Sequence, residues 1–178
     1  MEFKSHLMDG PQLYRSLARI SHEIIEKNDG VDKICLLGIK RRGICMAEVI
    51  RDNIEKFEHV TVPVGHIDIS LYRDDLSAIT DQAVTSGCSI PVDLKEYTIV
   101  LVDDVLYTGR TVRAAIEAIF SHGRPKAIQL AVLIDRGHRE LPIRADYAGK
   151  NIPTARNEIV QVMFEEYDGK TGVDLYAI

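Results

Sequence analysis

The chain has 178 residues, 46% hydrophobic and 28% charged, with 22 Lys+Arg against 27 Asp+Glu for a net charge of −5. Length and composition fit one globular domain and exclude a disordered tail, a disulfide-held miniprotein or a protein basic enough to coat nucleic acid, though not a local basic patch. Three cysteines without paired spacing, no N-terminal signal pattern and no apolar run of membrane length predict a soluble cytoplasmic protein without a disulfide framework or structural zinc.

An amphipathic helix is expected over residues 9–30. Asp9 can cap it, Pro11 suits its first turn and Asn28-Asp29-Gly30 stops it. Leu13, Leu17, Ile20 and Ile24 make the buried stripe. Arg15, Arg19 and His22 lie about 200° around the helix from that stripe and face away from the core. Ile34 to Ile39 reads as a buried strand, followed by the basic turn Lys40-Arg41-Arg42-Gly43 and a helix to about Phe57. Val60 to Leu71 suggests a strand made irregular by Pro63, and Tyr72 to Pro91 a long polar loop. A β-branched strand, Thr98 to Val102, runs into Asp103-Asp104; a helix covers about Thr111 to His122, and a strand Ala127 to Ile134. The segment Asp135 to Pro153 reads as irregular, and two short strands near Glu158–Glu165 and Val173–Ile178 close the chain. Apolar strands alternating with helices predict an α/β fold, a parallel sheet covered on both faces. Ligands of such sheets sit beyond the carboxyl ends of the strands, which gathers Lys40-Arg41-Arg42, Asp103-Asp104 and Asp135-Arg136 on one rim.

The segment Val100-Leu101-Val102-Asp103-Asp104-Val105-Leu106-Tyr107-Thr108-Gly109-Arg110-Thr111 carries the strongest signal. A buried strand delivers two adjacent carboxylates. The turn beyond it enters a helix, where unpaired backbone N–H groups and a positive dipole suit a phosphate. The Thr108 and Thr111 hydroxyls can add bonds, and Gly109 permits close approach. Carboxylates accept hydrogen bonds from vicinal hydroxyls, so a ribose 5-phosphate satisfies both halves. Two glycine-lysine sequences, Gly149-Lys150-Asn151 and Gly169-Lys170-Thr171, lack the upstream glycine of a P-loop.

That segment resembles the phosphoribosyl-pyrophosphate motif of type I phosphoribosyltransferases. Gly38 to Gly43, Asp68 to Leu76 and Asp135 to Tyr147 are similar to one branch of the family. Its members combine uracil phosphoribosyltransferase activity with regulation of pyrimidine-operon attenuation through leader mRNA. The resemblance runs from about Leu13 to the C-terminus. It implies one domain over 1–178: a central parallel sheet with helices on both faces, a flexible loop, and a hood from about 135–157 with the C-terminal strands. The implied reaction is uracil plus phosphoribosyl pyrophosphate to UMP plus pyrophosphate, with Mg2+ held mainly by substrate and water. Asp103, Asp104 and Arg73 are the expected catalytic residues, and Lys40, Arg41 and Arg42 the pyrophosphate cradle. Tyr107 to Thr111 would hold the ribose phosphate, and Asp135, Arg136 and Ile159 would border the uracil. Asp135 and Arg136 could equally form an internal ion pair.

Purine-specific relatives place an aspartate where Tyr107 stands, and a phenol is a poor base near neutral pH, so a pyrimidine is favoured. Arg19, His22, His138, Arg139, Arg144 and Lys150 match the branch's RNA-binding positions. Ala18 and Arg41 replace threonines found in it. The resemblance further implies uridine-nucleotide-dependent RNA binding and a homodimer or higher homo-oligomer. Two alternatives stay open: a phosphoribosyltransferase for another base without RNA binding, and a catalytically silent nucleotide sensor that binds RNA.

Overall fold

The computed structural model describes residues 1–69 and 87–178. Arg73, Tyr72 and most of the expected long loop fall outside them.

Strand β1 (Glu2–Asp9) leads into helix α1 (Gly10–Lys27). Asp9 closes a capping box: its Oδ1 accepts from Gln12 N at 2.7 Å while Gln12 Oε1 accepts from Asp9 N at 3.0 Å. Leu13, Leu17, Ile20 and Ile24 are fully buried, as their spacing requires, and Arg15, Arg19 and His22 are exposed. The main sheet follows: β2 (Ile34–Ile39), helix α2 (Arg42–Glu58), β3 (Val64–Ile67), β4 (Thr98–Leu106), helix α3 (Arg110–His122), β5 (Ala127–Asp135) and β6 (Tyr147–Asn151). Its five strands are parallel in the order β3-β2-β4-β5-β6.

Strand alternation sends Leu36, Val100, Val102, Ala131 and Leu133 toward α1 and α2. Cys35, Leu37, Ile99, Leu101, Leu130 and Val132 go toward α3 on the other face. Each large aliphatic side chain so buried contributes about 1.5–3 kcal/mol, which is why these strands read as unbroken apolar runs. A second, antiparallel sheet, β1-β8-β7, joins the N-terminal strand to β7 (Glu158–Met163) and β8 (Gly172–Ala177), with the single turn α4 (Glu165–Asp168) between the last two. Among the described residues no helix is long and apolar enough to cross a membrane.

One element was not foreseen, since residues 2–9 form a strand that polar, exposed residues concealed, and three expectations need correction. Within the described part of the span 60–71, residues 60–69, only β3 is strand, held at its far edge by an antiparallel bridge from His66 to Ser89. The segment 135–153 is not wholly irregular: β6 pairs in parallel with β5 and forms the sheet's edge. Finally, β4 does not end at Val102, because Asp103, Val105 and Leu106 continue the ladder against Val132, Ile134 and Asp135.

Candidate active site and basic surface

Asp103 and Asp104 therefore sit inside the last turns of a strand rather than on a loop. Asp103 is 7% exposed. Its Oδ1 accepts from Asp104 N at 3.0 Å, and Asp104 Oδ1 accepts from Val105 N at 2.9 Å. No side-chain cation hydrogen-bonds to either carboxyl among the described residues. Burial, then the neighbouring Asp104 charge, pushes the Asp103 carboxyl well above its ordinary range; burial pushes Asp104 up as well, against its backbone bond and the Arg42 charge. Two crowded carboxyls in low dielectric are poised to accept donors such as sugar hydroxyls.

The chain then turns through Tyr107, Thr108 and Gly109 into α3. Gly109 adopts φ +94 as the helix N-cap, a conformation that disfavours any residue with a Cβ. Thr108 Oγ1 accepts from Arg110 N at 3.3 Å, and Thr111 stands exposed in the first helical turn. The outer side of this turn is lined by residues 136–143. Leu106 O accepts from Arg136 N at 3.1 Å, and Thr108 O from Glu140 N and Leu141 N at 2.9 and 3.2 Å. Tyr107 O accepts from Arg139 Nη1 at 2.8 Å. Arg110 pairs with Glu140 at 2.6 Å.

On the neighbouring strand end, Lys40 reaches Asp68 at 3.3 Å and Arg41 is exposed. The peptide between these two residues is cis. Arg42 turns away to Asp168 at 2.9 Å, tying the basic turn to α4; burial raises the Asp168 carboxyl, but bonds from Phe164 N and Arg42 outweigh that and hold it below its ordinary range. Gly43 packs so closely on β4 that a Cβ there would lie 2.3 Å from Val102 O. This contact seats the basic turn beside Asp103 and Asp104.

Arg136, only 5% exposed, lays its guanidinium 4.0 Å over the Tyr107 ring and donates to Thr154 Oγ1 and Ala155 O at 3.0 and 3.1 Å. It does not pair with Asp135. Asp135 instead binds Arg139 and accepts from Gly137 N, and those interactions lower its carboxyl despite burial, which raises it. Gly137 and His138 both take positive φ, and that reversal is what returns Arg139 to the end of its own strand. Ile159 is half-buried on β7, in register with Tyr176.

Of the expected RNA-facing residues, His138, whose Nε2 lies 2.5 Å from Thr154 O, and exposed Arg144 line a cleft of about 640 Å³ together with Asn151 to Thr154. Arg15, Arg19 and Lys150 surround a second pocket of about 400 Å³. Strand β6 and the residues after it run along both. Arg19 is anchored to this strand by bonds to Ala148 O and Gly149 O, and Lys150 donates to Leu7 O. His22 stacks on Phe57 at 3.9 Å, with the rings 14° from parallel. Arg139 lines the first cleft as well, but every nitrogen of its guanidinium is engaged internally, with Ile143 O, Tyr107 O and Asp135. Burial raises the Cys35 and Cys45 thiols to about 12 and about 11, which leaves them as core thiols.

Residues 4–167 match the phosphoribosyl transferase domain family. The Bifunctional protein PyrR of Caldicellulosiruptor bescii is 58% identical over 97% of this chain and 95% of its own, and that of Clostridium novyi 57% identical over 99% of both. The chain belongs to the phosphoribosyltransferase family, in its PyrR branch. Solved structures of the fold include the hypoxanthine-guanine phosphoribosyltransferase of Bacillus anthracis (TM-score 0.70, 20% identity, all of both chains). The hypoxanthine phosphoribosyltransferase of Trypanosoma cruzi has a TM-score of 0.74 and 17% identity over 98% of this chain and 97% of its own. At such identity these likenesses show the fold alone.

Family membership makes the rim of Lys40, Asp103 and Thr108 the place to seek the chemistry. Several contacts that shape it escaped sequence reasoning: Glu140, Leu141 and Ile143 behind the turn into α3, Asp168 on Arg42, Thr154 on Arg136 and Phe57 under His22. Each is a partner across 15 or more residues of chain or a loop contact, and no local pattern marks it.

Proposed function

We propose that the chain is a uracil phosphoribosyltransferase that also regulates pyrimidine-operon attenuation by binding leader mRNA in response to uridine nucleotides. The observation that carries the enzymatic half is the pair of a buried Asp103 and a half-buried Asp104 one turn ahead of a helix entered through a left-handed glycine.

In this reading the two carboxylates accept hydrogen bonds from the ribose hydroxyls. The N–H groups and hydroxyls of residues 108–111 hold the 5-phosphate. Pyrophosphate then leaves the anomeric carbon as a uracil ring nitrogen attacks it, through a transition state with oxocarbenium character, and the fairly acidic N–H proton of the base passes to water or the departing pyrophosphate. Lys40 and Arg41 receive the leaving charge, and Arg42, fixed on Asp168, adds its field at the edge of the site. Positioning and charge neutralisation carry the rate without a dedicated base. Phosphoribosyltransferases generally use Mg2+ with phosphoribosyl pyrophosphate. The hard carboxylate oxygens of Asp103 and Asp104 fit a hydrated ion that the substrate carries, and such an ion would offset the pyrophosphate charge. Residues 135–157 with β7 and β8 form the hood over the base.

The regulatory half rests on the strip along β6, where Arg15, Arg19, Lys150 and Arg144 gather cations on an otherwise acidic molecule. Spaced cations with a stacked His22–Phe57 pair suit phosphates and unpaired bases of a folded RNA. The test is a pair of assays on the purified protein: UMP formation from uracil, phosphoribosyl pyrophosphate and magnesium, and gel-shift of the organism's pyrimidine-operon leader with and without UMP. UMP formation together with UMP-enhanced shift is expected. Shift without turnover would leave a sensor, and turnover of another base without shift would leave a salvage enzyme.

A further inference from the structure

We infer that Arg139 is a positioning residue that orients the phosphate turn for nucleotide and thereby passes UMP occupancy to the RNA-facing loop. The inference rests on the function proposed above, its RNA half on the regulatory reading and its nucleotide half on a phosphate held by residues 108–111.

The carbonyls of three successive residues, Leu106, Tyr107 and Thr108, are all drawn toward residues 136–141. A planar trans peptide carries its carbonyl and the next N–H on opposite sides. Holding those carbonyls back therefore turns the N–H groups of Tyr107, Thr108 and Gly109 the other way, away from the loop. Leu106 O and Thr108 O are held by backbone donors. Tyr107 O has a side-chain donor in place of a backbone one, Arg139 Nη1 at 2.8 Å, which also lies 3.5 Å from Leu106 O; this bond governs the direction of the Thr108 N–H.

The same guanidinium ties the turn to the rest of the loop. It donates to Ile143 O at 2.9 Å, to Gly137 O at 3.3 Å and to Asp135 at the end of β5. Ile143 and Leu141 in turn close on the Gly109 backbone, with the position of a Cβ there 3.4 Å from each. His138 between these anchors and Arg144, one residue past the last of them, line the 640 Å³ cleft together with Arg139 itself. A phosphate bound on the N–H side of the turn thus stiffens, through Arg139, the loop that presents those two side chains. Reciprocity follows: whatever UMP adds to RNA affinity, RNA adds to UMP affinity.

The alternative role for Arg139 is direct contact with RNA, and a UMP titration separates the two. Leader-RNA binding is measured across a wide UMP range for the wild type, Arg139→Gln and Arg139→Lys, beside calorimetry of UMP without RNA and KM and kcat for phosphoribosyl pyrophosphate. Loss of a charge-assisted bond that orders the turn is expected to move the UMP midpoint up on the order of tenfold. Excess UMP should bring the RNA plateau back toward wild type, and KM should rise by more than kcat falls. Lysine keeps the charge without the fork, so it should shift the midpoint in the same direction and supplies the measurement if the glutamine variant fails to fold. An unmoved midpoint with a lowered plateau at every UMP concentration would overturn the inference and make Arg139 an RNA ligand. If the wild type bound no leader RNA, the regulatory reading would fall instead, and the calorimetric UMP affinity would still decide the positioning role.

Discussion

Asp103 illustrates how a side chain can be costly to the fold and necessary to the chemistry. Its carboxyl is buried beside a second one, and its affinity for a proton is raised by that burial and by Asp104. The folded state thus holds the proton more tightly than the unfolded chain, and the stability this contributes is lost as pH climbs from the ordinary aspartate range through the raised value. Asp103→Asn removes the ionisation, so at neutral pH the ligand-free variant should be more stable than wild type by about 1 kcal/mol. The difference should shrink on acidification, read by paired thermal melts. Loss of the ribose contact should cut UMP formation at least about a hundredfold. A variant that was both less stable at neutral pH and fully active would contradict both statements. Gly43 makes the opposite kind of case, since its constraint is steric: Gly43→Ala would press a methyl against Val102 O at 2.3 Å. The basic turn must then move off β4, at a cost of roughly 1–3 kcal/mol, and KM for phosphoribosyl pyrophosphate should rise with the fall in Tm.

At the scale of elements, α1 and β6 form a unit that neither sequence segment announces. Arg19 spans them, bonded to Glu23 on its own helix and to two carbonyls of the edge strand, whereas Arg15 is exposed in the pocket beside it. Arg15→Gln should therefore act through charge: leader-RNA binding weakens, the salt slope falls by about one, and Tm and UMP synthesis hold. Arg19→Gln should lose the same RNA term and also lower Tm, because two carbonyls on the edge of the sheet lose their donor. Equal melting temperatures for the two variants would refute the anchoring role. The contrast also marks where sequence was informative. The α1 stripe, its Asp9 cap, β2 and β4 were legible because burial imposes a period or an unbroken apolar run. Strand β6 was not, because Ala148, Gly149, Lys150 and Asn151 are poor strand formers and the strand exists through its ladder with β5. The acids and the glycine turn of the site were legible as a local motif. The partner of Asp135 was not, since it depends on the positive φ at Gly137 and His138 that folds Arg139 back.

For the whole molecule, two populations of carboxyls pull stability in opposite directions with pH. Asp103 and Asp104 are raised by burial, so acidification from neutrality stabilises the ligand-free fold as they take up protons. Asp174 belongs to the other group. It is 2% exposed at the centre of the antiparallel sheet; burial raises it, but bonds from His6 at 2.6 Å and Lys170 at 3.1 Å outweigh that and hold it low. Asp168 and Asp135 are held low in the same way by Arg42 and Arg139, respectively, each assisted by a backbone N–H. Their stabilisation is complete above the ordinary aspartate range and is lost as pH falls through their depressed values. The first group responds at higher pH than the second, so the ligand-free protein should be most stable on the acid side of neutrality. UMP changes the balance, because ribose hydroxyls bind the ionised carboxylates. At about a hundred times its Kd it should add roughly 2.7 kcal/mol where Asp103 and Asp104 are charged, and progressively less where they are protonated. Thermal melts from about pH 5 to pH 8 should then show the optimum moving toward neutrality when UMP is added. A ligand-free Tm that rose steadily to pH 8, or a UMP increment independent of pH, would mean that the paired carboxyls are neither strained in the empty site nor relieved by the sugar.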